Sequence, residues 1–190
     1  MIGHMTKFLI LHGTYASPAA NWFMWLKGKL IGRGNTVWLP QLPDSATPNT
    51  KTYNDFIFDN KDFVIDNDTI LIGHSSGAVE ILSLLEHLPK GIVAKAAILV
   101  SVFKDDLGWD SLSGLFQEPF DFDVIRSHCD RFILIHSDND PYVPLEHARD
   151  LSEQLHSELM VYEGQGHFNT ETNPDYTKFP ELLEIIESFN

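Results

Sequence analysis

The sequence contains a single cysteine, Cys129, in 190 residues. An internal disulfide is therefore excluded, and so is a zinc site built from several thiolates. Basic residues are also scarce, since 13 Lys and Arg stand against 27 Asp and Glu, for a net charge of −14. Nucleic acids and anionic membrane surfaces bind clustered positive charge, so the composition argues against both partners. The lone cysteine favours a reducing compartment, and we expect a cytoplasmic protein.

The chain also lacks a long hydrophobic run. The first apolar stretch covers only Lys7 to Leu11 and ends in His12-Gly13, which is too short for a secretory core or a membrane span. We treat residues 1–6 as a candidate expression remnant without functional weight. With 43% hydrophobic residues, residues 1–190 are expected to form one domain around one core.

Apolar runs alternate with helix-like stretches along the whole chain, a pattern typical of a parallel sheet covered on both faces. We predict a three-layer α/β sandwich with six mainly parallel strands. The long, aromatic-rich connection at 101–130 is expected to form a small helical flap beside the site. The predicted strands are 7–12, 35–39, 69–73, 94–100, 131–136 and 158–162, and the predicted helices are 20–32, 52–63, 76–88, 144–156 and 176–189.

The most informative motif is Gly73-His74-Ser75-Ser76-Gly77, which lies between an apolar run and a helix-like stretch. This is the strand–turn–helix context of a nucleophile elbow, in which a tight turn presents the serine hydroxyl. The flanking glycines fit a turn that leaves no room for side chains. Ser75 is therefore the candidate nucleophile.

An acid and a histidine should follow in that order, each after a later strand. The run Phe132 to Ile135 leads into a polar loop that contains Asp138 and Asp140. We predict Asp140 as the acid, because Pro141 fixes the chain directly after it, and Asp138 is the competing candidate. His167 follows the last predicted strand and two glycines, and it is the candidate base.

The early apolar run ends in His12-Gly13. It matches the strand that supplies an oxyanion donor in enzymes with a nucleophile elbow. The predicted donors are the backbone N–H groups of Thr14 and Ser76, with Tyr15 as an alternative. Candidate substrate contacts are His12, Tyr15, Trp22, Phe103 and Trp109. For His12 a structural role in the oxyanion loop, and for Trp22 a place in the core, remain alternatives.

These motifs resemble the α/β-hydrolase superfamily, and within it the small serine-hydrolase family of retinoblastoma-binding protein 9 and its bacterial relatives. The resemblance implies a minimal α/β-hydrolase fold and a serine hydrolase that needs neither metal nor cofactor. A retinoblastoma-type partner is not expected, because Ser127 and Arg131 flank Cys129 where Leu-x-Cys-x-Glu requires Leu and Glu. The matching segments are His12-Gly13, Asn21-Trp22, Trp25-Leu26, residues 39–43, 73–78, 138–144 and 164–168.

The predicted reaction is hydrolysis of small carboxylic esters through an acyl-enzyme on Ser75, with His167 and Asp140 completing the triad. An amidase or aminopeptidase with the same triad is an alternative. It would need an acid for a free amino terminus, and Glu118, Asp121 and Asp123 are candidates. A non-catalytic binding protein of the same fold is the third interpretation.

Overall fold

Residues 5–189 are described by a computed structural model, in which six parallel strands form one sheet in the order β2-β1-β3-β4-β5-β6. Most of the candidate remnant, residues 1–4, lies outside the described residues. The strands are β1 (Lys7–Leu11), β2 (Thr36–Trp38), β3 (Thr69–His74), β4 (Ala96–Val100), β5 (Phe132–Ser137) and β6 (Glu158–Tyr162). The helices are α1 (Phe23–Ile31), α2 (Thr50–Phe58), α3 (Ser76–Glu86), α4 (Phe122–Ser127), α5 (Leu145–Leu155) and α6 (Pro180–Glu187), with a 3-10 helix at Asp110–Leu115.

The central strands are buried on both faces, which explains their continuous apolar sequence. Alternate residues point to opposite sides of a strand, so Leu71 packs into one hydrophobic cluster while Ile70 and Ile72 pack into the other. The first cluster contains side chains of α2 to α5, and the second contains those of α1 and α6. The predicted three-layer α/β sandwich is confirmed.

All five predicted helices are shorter than predicted, and α2 and α6 show why. Helix α2 begins at Thr50, where the Asn49 side chain accepts the Thr52 N–H at 3.0 Å, and it ends at Phe58. The apolar residues beyond it, such as Phe63, are buried in irregular chain, so that part of the pattern reflects packing and not a helix. Helix α6 begins only at Pro180, a position where the missing proline N–H has no cost.

The structure divides the segment 101–130 into two parts. Its first part contains the 3-10 helix and lies beside Ser75, where Phe103 and Trp109 line a cavity. Its second part forms α4, which packs against α3 and α5 and belongs to the helical layer. The flap is therefore smaller than the predicted range.

The strand order places a crevice between β1 and β3. The chain passes from β1 outward to β2 and then returns to β3 on the other side of β1. Ligands of open α/β sheets bind at such a switch point, beyond the carboxyl ends of the strands. Leu11 pairs with Gly73 in the sheet register, so His12-Gly13 and Ser75 leave the sheet next to each other.

Helix α3 contains a carboxyl group without a hydrogen-bond partner. Glu80 is fully buried, and neither of its oxygens has a partner among the described residues. Burial raises the pKa of Glu80 well above its ordinary value of 4.5, because an ionised carboxylate is costly to hold away from water. The unfolded chain loses this proton at lower pH than the folded chain. The stability associated with the neutral carboxyl therefore falls as pH rises from about 4.5 toward the folded pKa.

We predict that Glu80→Gln stabilises the protein increasingly as pH rises, because glutamine keeps the shape and cannot ionise. Its unfolding free energy relative to wild type should grow by up to about 1.4 kcal/mol per pH unit above the ordinary pKa. Urea denaturation from pH 4.5 to 7.5 measures this difference. The exposed Glu153→Gln in α5 is the control and should show no trend; a flat Glu80→Gln difference would contradict the assignment.

Candidate active site

Ser75 occupies a strained turn between β3 and α3. Its backbone has φ 56° and ψ −125°, a conformation that costs energy for a residue with a side chain. Neighbouring bonds hold it there, because the Ser75 N–H donates to the Val100 carbonyl at 2.9 Å and its carbonyl accepts the Ala78 N–H at 2.9 Å. The turn presents the hydroxyl to the cavity at the switch point.

The glycines of the motif are required by close backbone contacts. A Cβ on Gly77 would lie 2.5 Å from the carbonyl oxygens of His12 and Leu11. A Cβ on Gly73 would lie 2.5 Å from the Gly77 carbonyl oxygen. The start of α3 therefore packs directly on the end of β1, and any side chain would force them apart.

His167 lies in the loop after β6 and contacts Asp140. Its ring Nδ1 is 2.7 Å from Asp140 Oδ2, and both side chains are nearly or fully buried. An ionised carboxylate can only accept, so Nδ1 carries the proton. The Nε2 atom is then the free basic nitrogen of a neutral ring, and His167 and Ser75 line the same cavity. Within the described residues, no hydrogen bond joins the side chains of Ser75 and His167. Such a bond between nucleophile and base commonly forms or shortens when substrate binds.

Asp140 is held by four donors. Its Oδ1 accepts the backbone N–H groups of Tyr142 at 2.9 Å and Val143 at 3.1 Å, and Oδ2 accepts the Ser101 hydroxyl at 3.0 Å and the ring of His167. Burial alone would raise the pKa of Asp140. The hydrogen bond and charge of His167 and the two backbone donors outweigh it and lower the pKa below its ordinary value.

The competing acid, Asp138, does not contact His167. It is exposed, and its Oδ1 accepts the Gly164 N–H at 2.8 Å. The neighbouring Asn139 Oδ1 accepts the Gly166 N–H at 2.7 Å. Asp138 and Asn139 therefore join the loop after β5 to the histidine loop, while Asp140 reaches the ring.

Two other buried histidines, His74 and His12, form hydrogen bonds with the loops of the site. His74 Nε2 donates to the carbonyl of His167 at 2.7 Å, and burial followed by the charge of His167 lowers the pKa of His74 to about 3. Burial also lowers the pKa of His12. Its Nδ1 donates to the Gly13 carbonyl at 3.0 Å, and its Nε2 accepts the Leu42 N–H at 3.0 Å. Both rings are neutral structural links at pH 7.

Two unpaired backbone donors lie beside Ser75. Neither the Thr14 nor the Ser76 N–H has an acceptor among the described residues, and a 2.9 Å hydrogen bond joins their side-chain hydroxyls. The alternative donor, Tyr15, is not free, because its N–H donates to the Ser45 carbonyl at 3.0 Å. Thr14 and Ser76 can therefore present N–H groups to a developing oxyanion.

Two of the five predicted substrate contacts are wrong. Trp22 is fully buried in the core, where its indole N–H donates to the Phe168 carbonyl at 3.0 Å. His12 is also fully buried and spans two loops. The cavity has a volume of about 290 Å³. The residues that line it are Thr14, Tyr15, Ser75, Phe103, Leu107, Trp109, Leu112, Tyr142, Val143, His167, Asn169 and Glu171.

The acids proposed for a free amino terminus lie elsewhere. Glu118 lines a separate groove of about 770 Å³ beside α5, and Asp121 and Asp123 line a neighbouring groove. The acid at the cavity is Glu171, which the sequence analysis missed. Glu171 follows His167 by four residues in the same loop, and this closeness to the candidate base could have indicated a place at the site.

The described residues contain neither a metal-site arrangement nor a membrane-spanning helix. Within residues 5–189, no group of three or more His, Cys, Asp or Glu side chains has the arrangement of a metal site. No described helix is long and apolar enough to cross a membrane.

Comparison with known proteins decides the family. The sequence model of the serine hydrolase family matches residues 8–188. The chain belongs to this family. It is 29% identical to serine hydrolase RBBP9 of Rattus norvegicus over 188 residues, covering 96% of this chain and 95% of that protein. It is 30% identical to the hydrolase YdeN of Bacillus subtilis (strain 168) over 187 residues, covering 97% of each.

Solved structures agree with this family membership. The crystal structure of the B. subtilis ydeN product has a TM-score of 0.88 at 28% identity, covering 97% of this chain and 98% of that chain. A hydrolase of the α/β superfamily from Xanthomonas campestris pv. campestris has a TM-score of 0.65 at 14% identity, covering 94% of this chain and 98% of that one. The predicted α/β-hydrolase fold and family are confirmed.

We predict that Gly77→Ala lowers the unfolding free energy by about 2–4 kcal/mol, because the new methyl group collides with backbone carbonyls that cannot rotate away. Gly28→Ala is the matched control, since its Cβ would meet nothing within 4 Å in α1. That variant should gain about 0.5–1 kcal/mol of helix stability. Denaturant unfolding of both variants measures the contrast, and equal effects would refute the steric explanation.

Proposed function

We propose that this serine hydrolase cleaves small carboxylic esters through an acyl-enzyme on Ser75, with His167 as the base and Asp140 as the acid that orients it. The observation that supports this most is the 2.7 Å contact of His167 Nδ1 with Asp140. It leaves Nε2 basic at the cavity that also contains the strained Ser75. The geometry and the orientation of the ring thus suit general-base catalysis.

In this proposal His167 removes the Ser75 proton as Oγ attacks the ester carbonyl, because a serine hydroxyl is too weakly acidic to react alone. The imidazolium that forms is stabilised by Asp140, which stays ionised because its pKa is lowered. His167 then delivers the proton to the leaving alcohol. Water attacks the acyl-enzyme by the same route, and the products are an acid and an alcohol.

The backbone N–H groups of Ser76 and Thr14 would receive the negative charge that develops on the carbonyl oxygen. Both donors are unpaired in the described structure, so accepting the charge requires no other bond to break. Each such donor contributes about 3–4 kcal/mol to transition-state stabilisation in comparable sites.

Three features support a catalytic site for a small substrate. The cavity has a volume of about 290 Å³ and is lined on one side by Phe103, Leu107, Trp109 and Leu112 of the flap, which suits a small group. The three acids that the sequence suggested for a peptidase, Glu118, Asp121 and Asp123, line other surfaces, and the acid at this cavity is Glu171. A purely binding protein would have no need for a strained serine beside two unpaired donors. The net charge of −14 supports the absence of nucleic-acid and membrane partners.

We predict that a fluorophosphonate probe labels Ser75 and no other residue, because among the described residues this hydroxyl lies at the cavity with His167 and the unpaired Thr14 N–H, next to the unpaired Ser76 N–H. Peptide mapping by mass spectrometry identifies the labelled residue. Labelling that persists in Ser75→Ala would show that the nucleophile is elsewhere.

We predict that Asp140→Asn lowers kcat by up to about 10⁴-fold while the fold is retained. The asparagine oxygen can still accept the Tyr142 and Val143 N–H groups, but its NH₂ would oppose the Nδ1 proton of His167 and favour the wrong tautomer. Asp138→Asn is the matched control and should lose less than about tenfold, because its amide oxygen can still accept the Gly164 N–H. Hydrolysis of p-nitrophenyl acetate measures both; the reverse order of effects would exchange the two roles.

A further inference from the structure

We infer that the cavity beside Ser75 selects substrates that carry a positively charged ammonium group, and that Glu171 pairs with this group. The inference rests on the proposed ester hydrolysis for its kinetic test. It also predicts binding that can be measured without turnover.

The charge of the cavity wall is the first observation. The described residues that line the cavity include the carboxylate of Glu171 but no Lys or Arg. A negatively charged substrate group would find no counter-charge there, and it would approach a chain with a net charge of −14. A cation is instead attracted by the whole molecule and by the one acidic side chain at the wall.

The position of Glu171 is the second observation. Glu171 and Tyr142 both line the cavity, and their side chains are close enough that Glu171, after burial, raises the pKa of the Tyr142 hydroxyl. The Tyr142 ring in turn packs edge to face on His167, with centroids 5.1 Å apart. These contacts hold the carboxylate on the cavity side near the proposed base, where it can meet one end of a bound ester.

The aromatic wall is the third observation. Tyr15 is 75% exposed and Trp109 is 46% exposed, although large aromatic rings are normally covered. Both line the cavity, and Trp109 meets Tyr142 at 74° with centroids 6.2 Å apart. The electron-rich faces of such rings attract ammonium groups. A carboxylate beside angled aromatic rings is a chemically consistent site for a cation.

Pairs of esters that differ only in charge test this inference. Butyrylcholine and 3,3-dimethylbutyl butyrate differ by nitrogen against carbon in the leaving alcohol. Ethyl 4-(trimethylammonio)butyrate and ethyl 5,5-dimethylhexanoate differ in the same way in the acyl part. Acid release in a pH-stat gives kcat/KM for each ester, and the pair that shows the preference identifies the end of the substrate that carries the cation.

Wild type should prefer the cationic member of at least one pair by about three- to tenfold, the range expected for an exposed ion pair combined with cation–π contacts. Glu171→Gln should lower this ratio by about threefold, and added salt should lower it in wild type. Glu163→Gln is the matched control, since Glu163 is exposed on the same loop and does not line the cavity. Its ratio should equal that of wild type.

The outcomes separate the two proposals. Hydrolysis with ratios near one, or a preference unchanged in Glu171→Gln, would overturn the ammonium site and leave ester hydrolysis standing. Hydrolysis of none of the four esters would overturn the proposed function. NMR titration with choline and 3,3-dimethylbutan-1-ol then decides the ammonium site. Tighter binding of choline that weakens in Glu171→Gln supports the site, and equal binding overturns it.

Discussion

The direct contact between the start of α3 and the end of β1 is the constraint on which the site depends. Gly77 allows the helix backbone to approach the carbonyl oxygens of Leu11 and His12. This approach brings Thr14 and Ser76 within hydrogen-bonding distance of each other. The same approach requires a tight turn between β3 and α3. Ser75 forms this turn in a strained backbone conformation, with φ 56° and ψ −125°.

Three neighbouring histidines show how environment assigns different tasks to one residue type. His12 and His74 are buried and bonded to backbone groups through His12 Nδ1 and Nε2 and through His74 Nε2. Their pKa values are lowered, so they remain neutral links between loops. His167 instead meets an ionised carboxylate on one side and a cavity on the other. His167 is the candidate base because Asp140 orients its Nδ1 and its Nε2 has no partner among the described residues.

Local sequence signals predicted the parts of the fold that depend on local physics. Buried parallel strands require continuous apolar runs, and an elbow requires its glycines, so the strands and Ser75 could be predicted from short windows. Helix ends were less predictable, because Phe63 is buried without being helical. A helical flap was expected over 101–130, but the place of 122–127 in the helical layer was not, since α4 is short and packs on α3 and α5.

The cavity wall was the least predictable part, because it depends on which surfaces the tertiary fold brings together. Trp22 and Trp25 are three residues apart, as on one face of a helix. That spacing does not distinguish a residue of the core from a residue that lines the substrate cavity. Glu171 and Tyr142 lie in loops from different strands. They meet where Asp138, Asn139 and Asp140 join those loops by hydrogen bonds to Gly164, Gly166 and His167.

The bond from Trp22 to the carbonyl of Phe168 ties the histidine loop to the far side of the sheet. Phe168 is itself stacked on Phe179, with centroids 5.3 Å apart, just before α6 begins. Displacing the loop would therefore expose part of the second hydrophobic cluster to water. Hydrogen exchange of the amides around His167 should consequently follow cooperative opening of α1 and α6 rather than independent loop fluctuations. The position of His167 next to Ser75 therefore depends on the α1 and α6 layer, which does not line the cavity.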